Sequence, residues 1–232
     1  MRFRRRSGAV ALVGVAIAIG AWLNPSFDLG YRGDTVAIAA PEATGDLASL
    51  LDQVKVVDRI DDVPGYERSC KKGDACSFGP AWNDPSDTSG CDTRNRVISN
   101  QLHDVRFKPG TRNCKVIAGW LQDPYSGERV DLSDVQIDHT VALHHVWNAG
   151  AWQWDSRKRQ IFANDPIELR ALSSRVNREK SDKSLDEWSP DLPQARCPFA
   201  VDYLTIMVKY ELPITVSEKN AAVAACGAAP LS

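Results

Sequence analysis

Apolar residues along this chain come in short runs whose spacing switches between the helical period of 3.6 and the strand period of 2. Leu47 to Lys55 predicts a short helix, and Arg94 to Leu102 a second one, with Asp92 or Thr93 as its cap. Cys114 to Leu121 alternates as a strand. Asp123-Pro124-Tyr125-Ser126-Gly127 is a turn sequence, Arg129 to Leu132 the returning strand and Val135 to Asp138 a further strand. Ala142 to Trp154 and Arg157 to Ala163 carry helical periodicity, and Ile167 to Leu172 is a short extended segment. Ser173 or Ser174 then caps a helix through Lys180. Pro190 and Pro193 interrupt the chain, Phe199 to Tyr210 is an apolar helix, and Ser217 caps a last helix through Ala225. Between these elements, residues 62–92 have no period. Their Gly, Pro, Asp and Cys content predicts irregular, cross-linked chain.

The N-terminus sets the compartment. Arg2, Arg4, Arg5 and Arg6 precede an apolar run from Ala9 to Leu23. That run is shorter than the roughly 20 residues of a membrane span, and the pattern is that of a secretory signal, or of a retained signal-anchor. The domain organisation expected is a leader over residues 1–23, a tether with a short helix over 24–60 and one folded domain over 61–228. The protein is expected to be secreted or held at the cell surface, with no stable membrane domain after export. The formal net charge is −2, and removing the four leader arginines leaves about −6. A generally basic nucleic-acid coat is thereby excluded, whereas a small, locally basic site is not. Six cysteines in an exported chain point to disulfides. They allow many pairings, and local closure favours Cys70 with Cys76, Cys91 with Cys114, and Cys197 with Cys226. No Cys-x-x-Cys pair is present and only four histidines, which argues against a zinc ribbon or a His-rich zinc site.

The segment richest in chemistry is Val135-Gln136-Ile137-Asp138-His139-Thr140, an apolar strand ending in a carboxylate and an imidazole. Neighbouring strand residues point to opposite faces, so Asp138 and His139 share a site only if the backbone turns there. By themselves they also fit a surface Asp beside a loop-orienting His.

Further motifs extend the pattern: Cys91-Asp92-Thr93-Arg94-Asn95, Asp123-Pro124-Tyr125-Ser126-Gly127, Ile137-Asp138-His139, Trp147-x-x-Gly150 and Trp154. They continue with Arg159-x-x-Phe162-Ala163-Asn164-Asp165-Pro166, Asn177-x-x-Lys180 and Glu187-Trp188-x-Pro190. In this order and spacing, over residues 65–228, the chain resembles the HNH, or ββα-metal, nuclease superfamily. It looks most like exported actinobacterial HNH proteins of the DUF1524 family, related to the C-terminal nuclease domain of modification-dependent restriction enzymes. The resemblance implies an α+β fold with a ββα-metal (His-Me finger) core, surrounding helices and disulfide-linked irregular segments. It implies a metal-dependent endonuclease in which His139 is the general base and Asp138 and Asn177 are the metal ligands. The ion expected is Mg²⁺, with Mn²⁺ or Zn²⁺ as substitutes, since a hard dication takes a carboxylate and an amide oxygen and keeps several waters. Nucleic acid is the expected partner, DNA ahead of RNA.

One position departs from the superfamily pattern. An Asn-Leu pair normally precedes the metal helix, and here the pair is Glu168-Leu169. The superfamily Asn braces the loop carrying the catalytic His. Glu168 can accept from backbone N–H groups but cannot donate when ionised, and it could instead orient the imidazole or join the metal shell. Asn164 is placed to supply the missing amide. Arg94, Arg175, Arg178 and Lys180 are candidate phosphate contacts. Each also has a plain reading, as a salt-bridging or solvated helix residue. Trp147, Trp152 and Trp154 suit core packing better than base stacking, and His144 and His145 are lesser contact candidates. The competing functions are a nucleic-acid-binding module without chemistry and a cell-envelope interaction protein.

Overall fold

The computed structural model describes residues 40–227, so the leader and residues 24–39 of the expected tether lie outside it. No helix among the described residues is long and apolar enough to cross a membrane. The described chain is a mixed α+β structure. Helix α1 (Ala40–Gln53) leads to a two-residue strand β1 (Val56–Val57), then to the long irregular segment, then to α2 (Thr93–Gln101). Strands β2 (His103–Phe107), β3 (Val116–Gln122) and β4 (Arg129–Asp131) form an antiparallel sheet in the order β2-β3-β4. Strand β5 (Val135–His139) is followed by α3 (Leu143–Asn148) and α4 (Ser156–Phe162). The chain then returns as β6 (Leu169–Ser173) and runs directly into α5 (Ser174–Lys180). Helix α6 (Pro193–Lys209), strand β7 (Ile214–Thr215) and helix α7 (Val216–Ala225) complete it.

Strands β5 and β6 pair antiparallel through five consecutive residues, from Val135 with Ser173 to His139 with Leu169. Val135, Ile137, Leu169 and Ala171 bury one face of this hairpin against Val97 and Ile98 of α2 and Leu121 of β3. The opposite face carries Gln136, Asp138, Arg170 and Leu172. A larger cluster gathers Leu47, Leu51, Val146, Phe162, Phe199, Tyr203 and Met207. Burying such side chains stabilises by about 1.5–3 kcal/mol each. Leu47 and Leu51 of α1, within the expected tether, sit in this cluster.

Local signals account for most element boundaries. Asp92 caps α2 through Asn95 N, and Ser173 caps α5 through Val176 N. Asp123 braces its turn by accepting from Tyr125 N and Ser126 N, and its other oxygen accepts from Ser173 N at 2.7 Å. The turn is thereby tied to the start of α5. All three expected disulfides are present, Cys70–Cys76, Cys91–Cys114 and Cys197–Cys226.

Four expectations need correcting. The helix foreseen over Ala142 to Trp154 ends at Asn148, because Gly150 adopts φ 139° and the chain restarts as a 3₁₀ turn over Ala151–Gln153. Pro193 begins α6 rather than breaking the chain, since a first-turn proline loses no helical hydrogen bond. The last helix is capped by Thr215, not Ser217, in a reciprocal capping box with Glu218. Strand β2 was not foreseen. Its register against β3 shifts twice, and Asp104 has φ 51°, so its side chains do not alternate cleanly.

Candidate active site

The backbone makes the turn that Asp138 and His139 require. Strand β5 ends at His139, Thr140 to Ala142 bend the chain, and α3 starts at Leu143. Asp138 and His139, each only 8% exposed, therefore line one open cavity of about 350 Å³ with Tyr66, Arg68, Ala142, His144 and Asp182.

Glu168 holds that bend. Its side-chain Oε1 accepts from Val141 N at 3.0 Å, and its backbone oxygen accepts from Thr140 N at 2.8 Å. This is the acceptor role open to a carboxylate in place of an amide. Burial pushes the Glu168 carboxyl well above its usual range, against the pull of nearby Lys180. Its second oxygen, Oε2, is buried without a hydrogen-bond partner. Asn164 is also buried. Its amide nitrogen donates to Gln160 O and Asn83 O, and its Oδ1 has no partner. It lines a second, water-sized cavity of about 10 Å³ with His139, Arg68 and Trp82. The Trp82 and His139 rings are parallel within 10° at 6.4 Å between centroids.

The imidazole of His139 lies 3.0 Å from Ala163 O through Nε2. A carbonyl can only accept, so the Nε2–H tautomer donates there and Nδ1 keeps its lone pair. Burial, together with the positive charge of Arg68, holds the ring neutral by lowering its pKa to about 3.

Asp138 is matched by a buried cation. Lys180, fully buried at the end of α5, places Nζ 2.9 Å from Asp138 Oδ2 and donates to His139 O at 2.8 Å. Burial raises the Asp138 carboxyl pKa, with Lys180 opposing. The Lys180 contact lacks hydrogen-bond geometry at Asp138, whose Oδ2 is otherwise unpartnered.

Other expected site residues lie elsewhere. Asn177 does not line the cavity. It sits one helical turn before Lys180, and its Nδ2 donates to Gln136 Oε1 at 2.5 Å. Arg94 lines neither cavity and donates to Val135 O, at the opposite end of β5 from His139. As for the phosphate candidates, Arg175 is engaged by Glu128, Glu179 and Asp191, and Lys180 is buried, so neither offers a free charge. Arg178 is exposed on α5. His144 lines the cavity between Asp62 and Asp182, whereas His145 turns to Glu218 Oε1 at 3.1 Å. Trp147 and Trp154 pack in or against the core, and Trp152 is exposed. Among the described residues no three His, Cys, Asp or Glu side chains converge as a metal cage. Sequence reasoning missed Tyr66, Arg68 and Trp82. They come from the segment without periodicity, where only the Cys70–Cys76 loop hinted at a fixed conformation.

Residues 92–223 match the family described as GmrSD restriction endonucleases, C-terminal domain. The chain belongs to that family. Membership links it to the HNH-related nucleases and to a general nucleic-acid-hydrolysing function with metal use. The match covers β5, β6 and α5 and omits Tyr66, Arg68 and Trp82. A protein of Arthroderma benhamiae described as an uncharacterized secreted protein is 33% identical over 145 residues, 61% of this chain and 69% of its own length. No solved structure matches the chain.

Proposed function

We propose that this chain is an exported, metal-dependent DNA endonuclease whose general base is His139. The observation that carries the reading is the His139 ring. Its Nε2–H is committed to Ala163 O, which leaves Nδ1 with a free lone pair, and it lies beside a carboxylate in an open cavity. The order β5-β6-α5, an antiparallel hairpin followed at once by a helix, supports a ββα-metal core, here of the DUF1524 type. Export rests on the basic-apolar leader and the three disulfides, and accords with the secreted description of the Arthroderma benhamiae relative.

The residues fit a hard dication bound mainly through water. Asp138 would offer a carboxylate that Lys180 already faces at 2.9 Å, and Asn177, outside the cavity on the same helix as Lys180, would offer its amide oxygen through water. When bound, Mg²⁺ would neutralise charge on the scissile phosphate and the leaving oxygen. His139 Nδ1 takes the proton of an attacking water, while the Ala163 carbonyl fixes the ring's tautomer and plane. Glu168 keeps the bend after His139 from shifting, and Lys180 ties His139 O to Asp138. Asp138 and Lys180 cancel in charge, so a dication gains most affinity when the substrate's phosphate arrives with it.

Incubating the mature protein with supercoiled DNA across Mg²⁺, Mn²⁺ and Zn²⁺ tests this. Nicking that is lost with EDTA, and lost in His139→Ala, is expected. DNA retention without nicking in any metal would favour the binding-module reading instead, for which the Lys180–Asp138 pair is the supporting observation.

A further inference from the structure

We propose that Arg68 is the phosphate-binding residue of this site, gripping a non-bridging oxygen of the nucleic-acid backbone at the mouth of the His139 cavity. The proposal rests on the nuclease reading for its substrate but on a part of the chain outside the family match.

Position is the first argument. Arg68 lines both cavities that flank His139, the open one of about 350 Å³ and the water-sized one of about 10 Å³. Among the described residues no other Arg or Lys side chain lines either of them. Lys180 reaches Asp138 from beneath and is fully buried there.

Availability is the second. Arg68 is exposed and has no carboxylate partner among the described residues. Arg59, Arg96, Arg170 and Arg175 are each engaged in ion pairs. Arg68 contacts the Tyr66 hydroxyl but no carboxylate, so donors of its planar fork remain for an oxyanion.

The third is stiffness. Arg68 stands at the base of a small loop closed by Cys70–Cys76. Glu67 and Ser77 exchange two hydrogen bonds across that loop, Ser77 N to Glu67 O and Glu67 N to Ser77 Oγ, both 2.9 Å. Arg159 of α4 donates to Ser77 O at 2.6 Å and anchors the loop to the domain. The backbone of Arg68 is therefore held in place before any ligand arrives, which lowers the ordering cost of binding. Net charge points the same way. Without its leader the chain carries about −6, so long-range attraction does not draw in a polyanion and a local cation must hold it.

The experiment uses the full mature chain with Arg68→Ala, Arg68→Lys and, as an equal change in charge outside both cavities, Arg129→Ala, whose guanidinium covers Trp120. Anisotropy of a fluorescein-labelled DNA duplex is followed in EDTA over a salt series, and nicking is followed in the active metal. Arg68→Ala is expected to weaken duplex binding roughly 10-fold and to lower the salt slope by about one. It should raise KM more than it lowers kcat. Arg68→Lys should recover part of the binding, because it keeps the charge without the fork, and Arg129→Ala should match the wild type. If wild-type protein nicks DNA while Arg68→Ala keeps the wild-type KM and salt slope, Arg68 is excluded and the nuclease reading survives. If wild-type protein binds but never nicks and Arg68→Ala loses binding, the enzyme reading fails and the phosphate site stands. A wild-type protein that neither binds nor cuts DNA overturns both.

Discussion

The hairpin-helix unit of β5, β6 and α5 and the irregular segment of residues 62–92 meet at one imidazole but are built by opposite means. In the first, strand pairing and burial hold the reacting groups. Lys180 and Glu168 have no exposed surface, and Asp138 and His139 little. In the second, most side chains are exposed, and order comes from a disulfide, short side-chain-to-backbone bonds and turns. The difference separates two tasks. Reacting groups need fixed tautomers and a dry surround, which only burial supplies, whereas a group that meets a bulky polymer has to stay at the surface on a stiff support.

The largest effect that would break this contrast is at Lys180. Lys180→Met leaves Asp138 as an uncompensated buried charge and should destabilise the domain by about 3–5 kcal/mol. Adding Asp138→Leu should restore much of the loss. Denaturant unfolding of the single and double variants measures it, and additive losses would mean that the pair is not a unit. Next comes His139→Ala, expected to lower the nicking rate by about 10²-fold or more while duplex affinity in EDTA stays near wild type. Equal losses of rate and binding would erase the division of labour. A third change acts on the irregular side. Replacing Cys70 and Cys76 by Ser opens a loop with a sequence separation of 6, worth about 2.4 kcal/mol of chain entropy. Duplex binding should weaken with it, whereas the interior of the hairpin unit should keep its hydrogen-exchange protection. The smallest expected effect lies outside both regions and serves as a reference. Burial pushes the Glu218 carboxyl up, but His145, Tyr203 and the Thr215 amide together bring it below its usual value. The stabilisation from a depressed carboxyl is complete above the unfolded value near 4.5 and disappears as the pH falls through the lower folded value. Melting temperatures taken between pH 3 and pH 6 should therefore fall more steeply on the acid side for wild type than for Glu218→Gln.

The same contrast explains what could be read from the sequence. The hairpin unit was legible because its signals are local. An apolar alternation ends at Asp138-His139, Ser173 caps the helix, and Lys180 falls one turn after Asn177. Glu168 accepts from the loop amide at Val141, one of the three roles its carboxylate left open. Asn177 illustrates the limit. Helical spacing put it on the face of Lys180, but its bond to Gln136 depends on how far α5 advances along β5, which no local pattern encodes. Arg94 is a similar case, since α2 runs along the paired strands with Arg94 at the Val135 end and Gln101, bonded to Leu169 O, at the His139 end. Arg68 and Trp82 were invisible because their placement comes from cross-links and from a left-handed backbone at Trp82, with φ 62°. The Thr215–Glu218 cap, by contrast, was a signal present in the sequence and overlooked in favour of Ser217.

The three disulfides have a consequence for how the molecule is made. Each joins a cysteine to the next one along the chain, and no closed loop contains a cysteine belonging to another. A chain synthesised from its N-terminus therefore exposes both partners of every bond before any later competitor exists. Cross-linking in the order of synthesis gives the native set, with no wrong pair that has to be undone before the next bond closes.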